Sequence, residues 1–403
     1  MSEQKITPFE SFSEVYKVLI WVGYFKFLKK PRNRCLWICH QIYRPLAFIL
    51  VLWYNAVHLI FIVQGFHDHL DDVFESARIE IIQVNLVVKL ITLYVYTSRI
   101  EKINKLIDEP IFAAYTKKDE EMLLQTTRNM HRLVRYIKIS VSLAGVFWPG
   151  SLFAKRYQDP KAVVYIYTPF DTESWTGYSL SVLMEVAPII WIGLGHLAID
   201  CLVATYYAQA EVQLKIIKYN LEHLFDTDAA TERAQDERFT VYRDEMDRNV
   251  RRRFVHYIQR YETVARYTKE VTDVFNYAMA FELFTSSALL CLVAFVMSFT
   301  PVVSIAFVFS MVMLVVLLMR VFVYCYVGNM VQHQSETVAT SVYLSSWMSA
   351  SPPLRRDLLV GMLRWSKDLT PIVFGIVPLS LTTYVSLLRS AYSLFAVLST
   401  MNN

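Results

Sequence analysis

The residues able to do chemistry are few, and most sit in apolar surroundings. Cys35, Cys39 and His40 have a spacing that could hold a soft metal ion, but the run lies at the mouth of an apolar segment where thiols pack, so no metal is expected. His67 and His69 stand beside Asp68, Asp71 and Asp72, a grouping that reads as solvated surface with a modest pull on cations. Arg389 falls inside an apolar run near the C-terminus, where a centred arginine costs about 2.5–3.5 kcal/mol on insertion scales. It therefore calls for a structural partner, and Glu185 and Glu282, both inside apolar runs, are the candidates. No P-loop, HExxH, GxSxG or glycine-rich dinucleotide turn occurs, and ten glycines leave little material for phosphate-cradling loops. Catalysis, a cofactor and nucleic-acid binding are not expected.

The elements that hold these residues are apolar helices. Apolar residues make up 55% of the 403-residue chain and charged residues 19%, a balance that points to a bilayer. Seven segments are long enough to span one: Cys35 to Val63, Ala77 to Ser98, Leu133 to Ala154, Tyr178 to Tyr206, Val274 to Ser298, Pro301 to Val327 and Pro371 to Thr400. Glu80 and Lys89 interrupt the second. The opening MSEQKITPFESF has no apolar stretch of the signal-peptide kind and is expected to stay on the chain. The five cysteines imply no disulfide framework.

Charge counting gives a direction. Residues 1–34 hold seven Lys and Arg, 99–135 eight, 211–270 twelve and 328–370 four, whereas 64–76 and 299–303 hold none and 155–177 only Lys155, Arg156 and Lys161. The positive-inside rule then places the N-terminus in the cytoplasm and the C-terminus outside. The expected class is an all-α integral membrane protein of seven transmembrane helices. Its parts are a cytoplasmic segment at 1–34, the first four helices at 35–210 and cytoplasmic helical extensions at 211–273. Helices five and six at 274–327, a cytoplasmic anchor at 328–370 and the last helix at 371–403 complete it.

The interval from Glu211 to Lys269 lacks Pro and Gly and reads as helix. Val212, Ile216, Tyr219 and Leu224 form one stripe, and Phe254, Ile258, Tyr261 and Ala265 another. Arg251, Arg252 and Arg253 read as a solvated face or a contact for anionic lipid. A short helix is expected from Glu336 to Trp347, closed by Pro352 and Pro353. In the last segment, Gly375 and Pro378 suggest a kink. Beyond it Tyr384, Leu388, Ala391, Phe395 and Leu398 share one helical face, with Thr383, Ser386, Ser390 and Ser393 roughly opposite. Small hydroxyl residues suit either close helix packing or an aqueous pore, and composition leaves both open.

The stretch from Ser341 to Thr400 resembles the C-terminal signature of the insect odorant receptors. In that family a short Tyr-x-x-x-Trp helix precedes a last helix ending in Ala-Tyr-Ser-x-Phe. Tyr343, Trp347, Pro378, Ser380, Leu381, Arg389, Ala391, Tyr392, Ser393 and Phe395 match. The resemblance implies a tetrameric, odorant-gated, non-selective cation channel in the plasma membrane of olfactory sensory neurons, in which a tuning subunit assembles with an obligate co-receptor. The interval between helices four and five is shorter than the co-receptor's, which favours the tuning class. The Thr-Tyr-x-x-x-x-x-Gln-Phe ending of gustatory relatives, the nearest rival, is absent.

The resemblance further implies that the last helix lines the pore. The constriction then falls at Phe395 and the next ring at Leu398, where the co-receptor carries Gln, with Leu388 and Ala391 on the same pore face. It also implies a pocket for a small, volatile, largely apolar odorant among the outer halves of helices two, three, four and six. Residues at that depth are Val84, Val87, Val88, Ser142, Gly145, Trp148, Met184, Ile189, Phe307 and Met311. Gly145 and Trp148 stand out, since glycine leaves room beside an aromatic wall. A G-protein-coupled receptor would need the opposite topology and a DRY or NPxxY motif, and a transporter would show inverted repeats. None of these is seen.

Overall fold

Among the described residues most of each apolar run is helical, and several helices are too long to end within a bilayer. The structure is a computed structural model that describes residues 7–65, 70–158, 164, 172–226, 239–299 and 305–401. A helix α1 (Ser13–Trp21) follows a turn of 3-10 helix. Then come α2 (Arg34–Gly65), α3 (Leu70–Val95), α4 (Thr97–Ile107), α5 (Lys117–Gln158), α6 (Trp175–Glu222), α7 (Phe239–Phe299) and α8 (Ile305–Glu336). The chain closes with α9 (Val338–Leu344), α10 (Pro352–Trp365), a hairpin of β1 (Ile372–Val373) and β2 (Val377–Pro378), and α11 (Leu381–Met401).

Among the described residues, α2, α5, α6, α7 and α8 are each long and apolar enough to cross a membrane. A sixth span, α3, bends by 70° into α4. The bend turns Ile100, Ile103 and Ile107 inward while Lys102 and Lys105 stay outside the apolar face. At 1.5 Å per residue α11 is about 30 Å long, enough for a seventh.

The 48 residues of α6 and 61 of α7 reach about 70 and 90 Å at the same rise, so each must leave a hydrocarbon layer about 30 Å thick. Their extensions meet α1, α4, α5, α9 and α10 in a second, water-facing bundle. The Phe254 and Tyr261 stripe of α7 packs its rings on the fully buried Trp365 of α10. Between α1, α4 and α6, Asn104 donates to the Tyr16 hydroxyl at 2.7 Å, and Tyr206 donates to Asn104 Oδ1 at 2.7 Å. The two phenols are also 2.7 Å apart, which closes a ring of three hydrogen bonds. Arg260 of α7, fully buried, donates through Nε to Gln213 of α6 at 3.0 Å and through Nη2 to the Phe112 carbonyl at 3.3 Å. Burial draws that guanidinium below its ordinary pKa, against the opposing pull of Asp119.

Several expectations from the sequence need correction. Pro352 and Pro353 do not close a helix but begin α10, because the first turn needs no proline N–H. The short helix before them breaks at Thr337 and again at Ser345, so it runs only over α9. The last span is not continuous from Pro371 either. Phe374 and Gly375 take positive φ, 52° and 68°, so residues 372–378 turn back as a hairpin with Val373 paired to Val377, and the helix starts at Leu381. There is therefore no kinked helix at Gly375 and Pro378.

That hairpin is held at both edges. The Phe374 N–H donates to Asn276 Oδ1 of α7 at 2.7 Å, and its ring stands edge-on to Tyr277. On the other edge Gly328 of α8 touches Leu379 so closely that a Cβ there would lie 2.4 Å from the Leu379 carbonyl oxygen. Gly328→Ala must push backbone aside, and it is expected to cost about 1–3 kcal/mol. A lowered melting temperature of the detergent-solubilised full-length chain, relative to Gly193→Ala, whose site has open space, checks this.

Candidate functional site

Four apolar helices bring their charged residues to one point. Lys89 comes from α3, His196 and Asp200 from α6, Glu282 from α7, and Arg320 and Tyr324 from α8, all buried or nearly so. A spacing of four puts His196 with Asp200, and Arg320 with Tyr324, on single helix faces. Lys89 Nζ lies 2.6 Å from Glu282 and 3.0 Å from His196, and also donates to Asp200. Arg320 bridges the same acids, with Nε 3.2 Å from Asp200 and Nη2 2.8 Å from Glu282. Tyr324 donates to Asp200 at 2.6 Å and Ser286 to Glu282 at 3.1 Å.

His196 Nε2 faces both cations, at 3.0 Å from Lys89 and 2.7 Å from Arg320. Both are donors only, so this nitrogen accepts and carries no proton. His196, Asp200 and Glu282 gather their ligand atoms as a metal site would. The Lys89 ammonium already occupies that focus, and with Arg320 it balances the two carboxylates. The arrangement is a neutral ionic lock between four helices. Sequence reasoning named Lys89 and Glu282 but not the lock, although the two i, i+4 pairs inside apolar runs were its signal.

Arg389 is not part of it. It lies exposed on α11, while Glu282 is held by Lys89 and Arg320 and Glu185 is fully buried on α6 beside Tyr54. Among the described residues Arg389 forms an ion pair with neither.

The faces of α11 also differ from expectation. Ala391 is buried and Leu388 half-buried against Leu289, Leu290 and Val293 of α7 and Leu317 of α8, and Tyr384 meets Phe322 of α8 edge-on. Ser386, Ser390 and Ser393 are exposed. From Tyr384 to Ala391 the apolar face is thus the packing face and the hydroxyl face the open one, because apolar side chains of α7 and α8 stand behind the helix. The side chains of Phe395 and Leu398 lie outside the described residues, as do His67, Asp68 and His69 and the side chains of Asp71 and Asp72.

The expected odorant-pocket residues lie at the end of the bundle opposite the long extensions, and only some come together. Val87, Trp148 and Ile189 pack on one apolar core, with Val88 and Met184 half-buried. A Cβ on Gly145 would lie 2.7 Å from Ile190 Cδ1, so that glycine serves a close α5–α6 approach and the room beside Trp148 is filled. Val84 instead lines a groove of about 310 Å³ with Ile62, Glu80 and Phe284. Ser142 is exposed and donates to the Lys138 carbonyl, Phe307 is half-buried at the start of α8, and Met311 is exposed.

Sequence reasoning missed His58 of α2, which is fully buried in the same region with neither ring nitrogen hydrogen-bonded. Its ring packs 4.6 Å from that of Tyr54, whose hydroxyl donates to the Glu185 carbonyl. A histidine alone in an apolar run was the signal.

Removing one member of the lock tests its weight. Lys89→Met leaves two buried carboxylates sharing one cation, an imbalance expected to cost about 3–5 kcal/mol. The monodisperse fraction and melting temperature of the solubilised chain should both fall, and the double variant Lys89→Met with Asp200→Asn, which restores neutrality, should recover part of the loss.

Comparison with known proteins agrees with this architecture. Residues 69–392 match the family described as "7tm Odorant receptor". The chain is 24% identical over 145 residues to Odorant receptor 19a of Drosophila melanogaster, covering 36% of this chain and 38% of that one. It is 22% identical over 162 residues to Odorant receptor 10 of Aedes albopictus, covering 39% and 42%. The matched stretch thus spans less than half the length of these relatives. The whole fold is similar to that of the insect olfactory receptor OR5 from Machilis hrabei solved in complex with eugenol, with a TM-score of 0.76 at 16% identity over 97% of both chains. This is a family of receptors, not of enzymes. With its multiple apolar helices and a match over most of its length, the chain belongs to the insect odorant receptor family.

Proposed function

We propose that the chain is a tuning subunit of an odorant-gated, non-selective cation channel, assembled as a heteromer with the odorant receptor co-receptor in the plasma membrane of olfactory sensory neurons. The observation that carries this is family membership over residues 69–392. The charge asymmetry of the loops supports a cytoplasmic N-terminus and an extracellular C-terminus. On that reading the water-facing bundle of α6, α7, α9 and α10 is the cytoplasmic anchor, and α11 lines the conduction path.

The open face of α11 supplies Ser386, Ser390 and Ser393 to that path, while Leu388 and Ala391 hold the helix to α7 and α8. Phe395 and Leu398, one and two turns beyond Ala391, form the outer constriction, where apolar bulk gates by excluding water.

The ligand enters among α3, α5, α6 and α8, beside α2, and is largely apolar with one hydrogen-bonding group. Val87, Val88, Trp148, Met184 and Ile189 supply the apolar wall, with Val84, Ser142, Gly145, Phe307 and Met311 at its margin, and His58 supplies the polar contact. That a fold relative was solved with eugenol, a small phenol, supports this ligand class. Ligand binding biases a two-state pore.

Expression with and without the co-receptor under voltage clamp tests the assembly: odorant-evoked cation current is expected only with both, and current from this chain alone would favour a taste-type homomer. In the same cells His58→Leu should raise the half-maximal concentration for an oxygenated agonist about tenfold, the loss of one buried hydrogen bond. Equal potency at His58→Leu would remove that residue from the pocket.

A further inference from the structure

Beside the start of α2, a cavity of about 600 Å³ opens between α2, the end of α3 and the start of α4, where the 70° bend carries α4 away. Lys26, Lys30, Arg44, Trp37, Tyr94 and Glu101 are among its walls. Lys26 pairs with Glu101 at 2.6 Å, which uses the one acid there. Lys30 lies over the Trp37 ring at 5.0 Å and Arg44 over the Tyr94 ring at 5.1 Å. Aromatic faces hold these two cations in place without neutralising them. Among the described residues no carboxylate pairs with Lys30 or Arg44, and Arg44 Nε is buried without a hydrogen-bond acceptor.

The cavity therefore presents two uncompensated positive charges on rigid supports. Its level in the bilayer is marked on α2 itself: Ile38, Ile42 and Leu46 are exposed apolar residues, the kind of surface that lipid covers, and Arg34 opens the helix one turn before. Trp37 and Tyr94 are the amphipathic rings found at a membrane–water boundary. Lys29 and Arg32 in the preceding segment, with Arg34 at the start of α2, add to the local field.

We propose that this cavity holds the head group of an inner-leaflet phosphoinositide, with the phosphomonoester against Lys30 and Arg44. A phosphomonoester carries about 1.5 to 2 negative charges near neutral pH, which matches the excess in the cavity. A singly charged phosphatidylserine head would satisfy only half of it. Arg44 offers a planar guanidinium fork suited to phosphate oxygens. Because α4 leaves α3 at this point, an occupied cavity bridges α2 and the cytoplasmic bundle, and lipid content then adjusts how those two parts are coupled. The inner-leaflet assignment rests on the cytoplasmic N-terminus proposed above.

The test is binding of water-soluble dioctanoyl phosphatidylinositol 4-phosphate to the full-length chain in detergent, read by thermophoresis, with dioctanoyl phosphatidylserine and inorganic phosphate run in parallel. Saturable binding of the phosphoinositide is expected, at least about tenfold tighter than either comparator. Lys30→Gln, whose side chain is exposed and leaves the packing intact, and Lys30→Gln with Arg44→Gln should weaken it about tenfold or more. Lys30→Arg should retain it, and Arg252→Gln with Arg253→Gln, exposed on α7, should leave it unchanged. Inorganic phosphate binding as tightly as the lipid would assign the cavity to a free anion and overturn the proposal. Absence of binding, or binding indifferent to Lys30, overturns it as well. Binding in detergent does not depend on which way the chain crosses the membrane, so its failure is distinct from a wrong topology, which an epitope tag at each end of the chain reads in unpermeabilised cells.

Discussion

Two cations and two carboxylates buried among apolar helices persist only if each satisfies the others, and this constraint fixes how the bundle is assembled. Lys89, Asp200, Glu282 and Arg320 come from α3, α6, α7 and α8, so the four helices must meet at one level and in one rotation. An apolar contact tolerates sliding by part of a turn. A lock with hydrogen-bond geometry does not, since slippage of one helix strands a charge in hydrocarbon. Asn85, one turn before Lys89, donates to Thr285 of α7 at 2.7 Å and sets the same register a second time.

The lock's fixed level governs the rest of the architecture. Because α6 and α7 are continuous through it, their extensions leave the bilayer at defined angles, and the bundle they form inherits the register of the lock. Arg260 with Gln213, the ring of Tyr16, Asn104 and Tyr206, and Trp365 between Phe254 and Tyr261 then tie the shorter helices to those two. On the other side of the lock, α8 and α7 offer the surface on which Ala391 and Leu388 seat α11. On the proposed function, a ligand held between α3 and α6 would act on helices that share the lock with α7 and α8, on which α11 is seated.

Much of this architecture is legible in the sequence because hydrocarbon imposes a simple pattern. Apolar runs of about 20 residues mark the spans, and the absence of Pro and Gly from Glu211 to Lys269 marks the extensions. Features that depend on non-local partners are not legible. The run from Ile372 to Pro378 reads as apolar helix, yet Asn276 and Gly328, distant in sequence, receive it as a hairpin. The Pro352–Pro353 pair reads as a stop and acts as a start, because residues 354–365 on its C-terminal side form the helix. Glu282 reads as free to meet Arg389 until Arg320, one helix away, is placed beside it. His58 stands alone in an apolar run, a signal that acquires meaning once its burial without a hydrogen-bond partner is seen. Resemblance assigns the apolar face of α11 to the pore, and only the placed helices show that Ala391 of that face packs against Leu289 and Leu290 of α7.

The central claim is that ligand binding opens a path lined by the hydroxyl face of α11. Substituted-cysteine accessibility in the assembled channel tests it most directly, with a charged methanethiosulfonate reagent applied during odorant-evoked current. The account predicts rapid, irreversible block at Ser390→Cys and Ser393→Cys, faster with odorant present, and no effect at Leu388→Cys or Ala391→Cys. Block at Leu388→Cys and Ala391→Cys with the serine positions silent would contradict it.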